Sequence, residues 1–420
     1  MDHRRYHPRG WRLEALTQMT TIHMACPSSA PRGSLSCHAT TVTAVIAAMT
    51  FSASGAAPTP LYQEYQSHFG LTPFMVTVIF ATYVLCLLLA LLTVGSLSDY
   101  VGRRPAILSA LAMNVVAMLI FMTAQSAVAL IVARAVQGFA TGLAATTLGA
   151  TILDTDREHA PVLNSVTAFA GLSAGTLGAG LLVTFAPAPE QLIFAVLLVL
   201  SAVEAAILWF MPETAERKPG ALASLRPRVR VPPAALGTFA SIAPVTIASW
   251  ALGGFYFSLM PAVVRIATGT TLPIIGGVVV ATLTFVGAVV VVAFRKVAPK
   301  RMLRLGIVGL AVGVMITLAG VQSQLVWIML FGTVVSGMGF GAAFSGALRS
   351  LLPWAQPNER AALLSAFYVE GYLAFSVPAV LAGFLAPLVG LTRAADFYGT
   401  GVILLALVSL AATTFRRTTR

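Results

Sequence analysis

The sequence predicts an all-α polytopic membrane protein of twelve transmembrane helices in two six-helix halves, and three observations carry that prediction. Of its 420 residues 58% are hydrophobic and only 10% are charged, whereas soluble domains average about 25% charged residues. The apolar residues gather into twelve runs, each near the ~20 residues that a helix needs to cross a hydrocarbon layer of ~30 Å. All but three of the 26 lysines and arginines, the exceptions being Arg134, Arg265 and Arg393, fall in the two ends or in alternate connectors.

In chain order the runs fall at about 40–57, 74–94, 105–123, 127–150, 161–185, 191–211, 236–261, 272–294, 303–320, 324–347, 361–388 and 395–415. Ahead of them, residues 1–38 are polar, hold Arg4, Arg5, Arg9, Arg12 and Arg32, and contain no signal-peptide core beside a small-residue cleavage site. They read as a disordered tail, with Met19 and Met24 as alternative starts. An even number of spans puts both ends on one side, and the segment 416–420 is basic as well. Basic connectors stay on the inner side of a membrane, so both termini are expected in the cytoplasm and the chain in the cell membrane.

The longest connector, 212–235, is rich in Pro and Arg and divides a half at 39–211 from a half at 236–415. The halves repeat weakly: Gly138-x-x-x-Gly142 in the fourth span lines up with Gly337-x-x-x-Gly341 in the tenth. Two parallel repeats place a binding site between them near mid-membrane. The net charge of +12 invites a nucleic-acid partner, but the cations lie in short clusters between apolar runs and form no single face. Cys26, Cys37 and Cys86 have neither paired nor metal-ligand spacing, so no disulfide framework and no metal is expected.

Between the second and third runs lies Gly95-Ser-Leu-Ser-Asp99-Tyr-Val-Gly102-Arg103-Arg104-Pro105. Gly102 can take backbone angles closed to other residues, and Pro105 suits the first turn of a helix, where no N–H is missed. The spacing resembles the loop signature of the major facilitator superfamily. That resemblance implies a carrier working by alternating access, in which Gly95, Asp99, Gly102, Arg103 and Arg104 form a charge cluster that steadies one of two states. Pro212-Glu213-Thr214 resembles the segment just after the sixth span in that superfamily.

Inside the spans few residues can carry chemistry. Arg134 lies seven residues into the fourth run, and a cation there costs roughly 2.5–3.5 kcal/mol on insertion scales. Gln137, Gly138, Thr141 and Gly142 share its helical face, and the run resembles the superfamily's fourth-span motif R-x-x-Q-G-x-x-x-G, whose arginine is associated with proton coupling. Glu370, ten residues into the eleventh run with Tyr368 and Tyr372 close in sequence, is the deepest acid and a second proton-coupling candidate. Glu204 reads as an interfacial residue reaching towards headgroups, and Arg265, Arg393 and Asp396 stand at outer span ends, where opposite charges can form a gate.

In the fifth run Asn164, Ala168, Gly171, Gly175 and Gly178 form one stripe that admits a close neighbour. It resembles the superfamily exporters' fifth-span motif, with Thr176 where that motif has proline and Ala179 for a glycine. In the seventh run Trp250, Gly253, Gly254 and Phe257, with Tyr256 beside them, offer an aromatic wall to a substrate. Gly171-Leu-Ser173-Ala-Gly175 matches a hydrolase nucleophile pattern, but it lies within a helical run and none of the six histidines falls in a span. There is no phosphate-binding loop. The sequence thus points to a monomeric, cofactor-free secondary transporter and not an enzyme. Its favoured reading is antiport-type efflux: proton-coupled export of a small molecule. Uptake or uniport of a polar metabolite and a non-transporting sensor are the rivals.

Overall fold

In a computed structural model, residues 35–415 are described apart from 228, 357 and 358. The expected basic tails, 1–38 except for Leu35–His38 and 416–420, lie outside the described residues. Among the described residues, twelve helices are long and apolar enough to span a membrane. They are Cys37–Phe69, Pro73–Thr93, Arg103–Met122, Ala127–Thr155, Ala160–Phe185, Pro189–Leu208, Pro233–Ser258, Pro273–Ala293, Pro299–Gln322, Val326–Trp354, Arg360–Val389 and Leu391–Ala412, spans one to twelve in that order. Local chemistry sets their starts. Ser36, Thr72 and Ser126 each accept from the main-chain N–H three residues on. Proline stands in the first turn of the second, fifth, sixth, seventh, eighth and ninth spans and of the helix that continues the first.

The first span is much longer than its apolar run. After a break at Ala57 it continues as Pro58–Phe69, where Gln63, Glu64, Gln66 and His68 depress the hydropathy without opposing helix formation. The seventh span is likewise followed by a helix at Met260–Thr268. Gly70 (φ 62°) and Gly269 (φ 69°) end these two extensions in the left-handed region that favours glycine. They are separated by the same interval as Gly138 and Gly337, so the repeat seen in the sequence recurs in the backbone. The spacing of the three cysteines predicts no pairing; Cys37 is nonetheless disulfide-bonded, and Cys86 carries a free thiol.

Helices in lipid gain little from hiding apolar surface and are held by close backbone approach. Gly138 and Gly142 of the fourth span meet the main chain of Tyr83 and Leu87 in the second, and Gly337 and Gly341 of the tenth meet Leu283 and Gly287 in the eighth. Gly171 and Gly175 meet Met49 and Ala53 of the first span, whereas Gly178 faces open space and takes no part in this packing. The tightest pair is the ninth and tenth spans, where Gly306, Gly313 and Gly320 on one helix and Gly332, Gly339 and Gly346 on the other, all at seven-residue intervals, press against the opposite backbone.

The 95–105 turn lies at one end of the bundle, here called the basic face; the other end is the far face. Between spans of different halves the hydrogen bonds run from Thr59 Oγ1 to the Phe257 carbonyl (3.0 Å), from the Ile274 N–H to Thr184 Oγ1 (3.1 Å), and between the Ser173 and Thr284 hydroxyls (2.7 Å). Phe74–Phe384 and Phe80–Phe375 ring pairs add to them. The hydrogen-bond latch lies at the far face or in the middle, while nearer the basic end of the fifth span Phe169 packs edge-on against Phe340 (5.5 Å) and Phe344 (5.6 Å) of the other half. The packing gives a direct test. Gly339→Ala would set a β-carbon 2.6 Å from the Gly309 carbonyl carbon and should cost about 1–3 kcal/mol, seen as a lowered melting temperature in detergent. Gly178→Ala, with nothing near, should leave the melting temperature unchanged or raise it.

Candidate functional site

At the basic face the turn is locked to its own half. Arg103 is 9% exposed; its guanidinium pairs with Asp99, donates to Ser98 Oγ (2.7 Å) and reaches Asp154 at the end of the fourth span (3.2 Å). Glu213, just after the sixth span, caps the third helix by accepting from the N–H groups of Arg103 (2.6 Å) and Arg104 (3.2 Å). Gly102 has φ 104°, and a β-carbon there would meet the Glu213 carboxylate at 2.5 Å, so this is a position where glycine is required. Thr214 donates to Asp154 (3.1 Å), Arg104 lies over the Trp209 ring at 5.3 Å, and Gly95 sits against Leu91 and Thr146. Asp154 and Glu213 extend the cluster that the sequence placed on Asp99 and the two arginines; their part was not legible because it depends on which span ends converge.

Deeper in the first half, Arg134 is 1% exposed. Its Nη1 donates to the Gly55 carbonyl and to Gln137 Oε1, both at 2.8 Å, and its Nη2 donates to the Tyr62 hydroxyl at 2.5 Å. The guanidinium also lies 4.9 Å from the Tyr83 ring centre and 5.7 Å from that of Tyr62. No carboxylate pairs with it among the described residues; carbonyl dipoles, a phenol and two ring faces bear the charge. Gln137 Nε2 in turn donates to the Ser54 carbonyl (2.8 Å), and Thr141 donates to the Gln137 carbonyl (2.8 Å). Tyr62 escaped the sequence reading because the helix that carries it was too polar to register as a span. Beyond Tyr62, on the far side, a cavity of about 210 Å³ lies among Gln63, Gln66, Ser258 and Arg265.

The second half supplies the aromatic wall. Trp250 packs edge-on to Tyr372 (4.9 Å between centres), Tyr368 (6.3 Å) and Phe375 (6.0 Å), and Gly371 leaves room for its indole. Trp250, Tyr368 and Tyr372 remain partly exposed. The second span joins the wall to the arginine: Phe80 packs at a tilt against Phe375 with ring centres 5.2 Å apart, and Tyr83, one turn on, lies under Arg134.

Other candidates stand elsewhere. Tyr256 is buried in the second half, its hydroxyl 2.9 Å from Thr333, and Phe257 is buried at the far-face latch. Asn164 is exposed near the basic face and donates to the Gly149 carbonyl (3.2 Å). Glu370 is two residues from each tyrosine, hence about 160° around the helix from both, and neither carboxylate oxygen has a hydrogen-bond partner. Glu204, expected at the interface, is instead 4% exposed. Asp396 accepts from Gln322 (2.6 Å) and pairs with neither Arg265 nor Arg393 among the described residues. Ser173 lies in mid-helix, bonded to the Phe169 carbonyl and to Thr284, with none of the elbow geometry a nucleophile needs.

The family profile of the Major Facilitator Superfamily matches residues 42–298. No curated protein sequence matches the chain. Among solved structures, the crystal structure of a point mutant of the nucleoside transporter NupG is similar over 89% of this chain and 99% of its own, with a TM-score of 0.67 and 10% identity. Two substitutions test the geometry. Arg134→Lys keeps the charge but loses the fork, and should lower stability by about 2–4 kcal/mol; Glu213→Ala removes a helix cap and should cost about 1–2 kcal/mol. Both are read as melting temperatures in the same detergent.

Proposed function

Since this chain belongs to the major facilitator superfamily and has its all-α, twelve-span fold, it is a secondary transporter, and we propose that its substrate is a small polar metabolite bearing a flat ring, moved inward by alternating access with a proton as coupling ion. The observation that carries this reading is the opposition of a buried, carboxylate-free Arg134 on one half to the Trp250–Tyr368–Tyr372 wall on the other. A ring can stack on the wall while its polar edge reaches towards the arginine cluster. Nucleosides, for which the NupG transporter is named, have that chemistry and are the first probes.

Uptake replaces the export favoured on sequence grounds. The fifth span runs unbroken from Ala160 to Phe185, with Thr176 Oγ1 bonded to the Leu172 carbonyl (2.9 Å) where the exporter motif has proline, so the feature that favoured efflux is missing at its centre. Proton-coupled export keeps the support of the fourth-span Arg134–Gln137–Gly138–Gly142 run and stands as the second reading.

Counterflow in proteoliposomes loaded with unlabelled nucleoside decides whether this substrate class is taken. Labelled nucleoside should accumulate transiently, and Trp250→Ala should raise the half-saturating concentration about three- to tenfold through loss of ring stacking; equal counterflow of an aliphatic solute would overturn the ring-binding reading. Direction follows from reversing the imposed pH gradient. For the orientation, single cysteines beside Arg265 and in the 212–235 connector are exposed to an impermeant thiol reagent on intact cells. The first should label and the second should not, placing the basic face and both termini in the cytoplasm.

A further inference from the structure

A second polar cluster inside the first half has no part in the substrate site. Glu204 lies on the sixth span, one turn short of its basic-face end, and is 4% exposed. Its Oε1 accepts a 2.6 Å hydrogen bond from Thr50 Oγ1 of the first span. Its Oε2 is buried without a partner. One turn towards the far face, the same two helices present Ser201 and Ser54. Asn114 of the third span, 0% exposed, donates to both, at 3.0 and 3.3 Å. The amide oxygen of Asn114 is also buried without a partner. The Ser54 carbonyl is the acceptor that holds Gln137, and Gln137 holds Arg134. Polar contacts therefore lead from Arg134 through Gln137, Ser54 and Asn114 to Ser201, with Glu204 on the next turn.

No cation answers this carboxylate among the described residues. The first, third and fifth spans pack on the sixth. On the first, the titratable groups stand at the ends, at His38 and then from Tyr62 onwards. On the third they are Arg103 and Arg104 at the basic face, engaged by Asp99, Asp154 and Trp209. The fifth has none. The sixth span's other acid, Glu190, is at the far end and pairs with His68 (2.5 Å). An ionised carboxylate with one oxygen bare and no counter-charge is an arrangement that proteins avoid in a low-dielectric interior, and protonation removes that charge. Glu370 has bare oxygens too, but among the described residues no hydrogen-bonded run joins it to Arg134.

We propose that Glu204 is a reversible proton-binding site, so that the coupling proton of this carrier is held among the first, third and sixth spans and not in the substrate cavity. The step is proton transfer alone: the carboxylate gains a proton at Oε2 and the side chain becomes neutral. The coupling role rests on the transport reading above; the binding site does not.

Infrared difference spectroscopy of the purified protein in detergent, titrated with acid and base and without substrate, tests the site. The expected result is a carboxylic-acid C=O band that appears and disappears reversibly with pH and a component of which is absent in Glu204→Gln. Thr50→Val should retain that component and move it to higher wavenumber, since the hydrogen bond to the carbonyl oxygen is lost; this second variant covers the case in which Glu204→Gln fails to fold. Absence of any component that depends on Glu204, a component that does not titrate, or loss of the component on adding sodium at constant pH would each overturn the proposal. In proteoliposomes, accumulation driven by a pH gradient should fall at least tenfold in Glu204→Gln. Undiminished accumulation would overturn the coupling role, whereas a wild-type protein that shows the band but moves no solute would fail the transport reading and leave the site standing.

Discussion

Close approach of one helix backbone to another is the constraint on which the rest of this structure depends. In hydrocarbon there is no water to drive apolar faces together, so close main-chain approach, with hydrogen bonds between helices, does much of the holding. The glycines of the fourth and tenth spans do this against the second and eighth, and those of the fifth do it against the first. Once the second span lies against the fourth along Gly138 and Gly142, Tyr83 is brought under Arg134. Once the fifth lies against the first along Gly171 and Gly175, the first span is set to offer the carbonyls of Ser54 and Gly55. The polar chemistry is a consequence of where the small residues allow contact.

Arg134 shows how a charge is tolerated in such an interior. It has no acid beside it among the described residues, and it is carried by one carbonyl, one amide oxygen, one phenol and two ring faces. A salt bridge would tie the arginine to one acid; a shell of weak partners leaves it responsive to a ligand or to a change in the hydrogen bonds behind it. The two halves contribute unlike parts: polar groups and a cation from the first, aromatic surface from the second.

What could be read in the sequence was whatever depends on helical period and on composition. Twelve spans followed from the apolar runs, and the polar stripe Arg134–Gln137–Thr141 followed from a repeat of three to four residues. The separation of Glu370 from Tyr368 and Tyr372 was open to the same arithmetic, since a step of two residues points to opposite sides of a helix. Tyr62 was hidden because a helix rich in Gln and Glu has the hydropathy of a loop. Glu204 was misplaced because distance along a helix measures depth and not which neighbour covers it. Tyr256 and Phe257 could not be assigned to cavity or core from the sequence, because adjacent aromatic residues fix no direction until the partners are known.

The connector between the halves sets a limit on how far they can travel. Its first part is tied to the first half, through Lys218 N–H to the Tyr100 carbonyl (3.1 Å) and Ser96 Oγ to the Ser224 carbonyl (3.2 Å), and its last part to the second, through Arg230 N–H to the Ala362 carbonyl (3.3 Å). Among the described residues, the stretch from 225 to 229 is left between these moorings. Drawn straight, six Cα steps reach about 20 Å. The stroke of the machine at this edge is thus bounded by a tether of known length, and any wider swing must first cast off the knot at Ser224 or the one at Arg230.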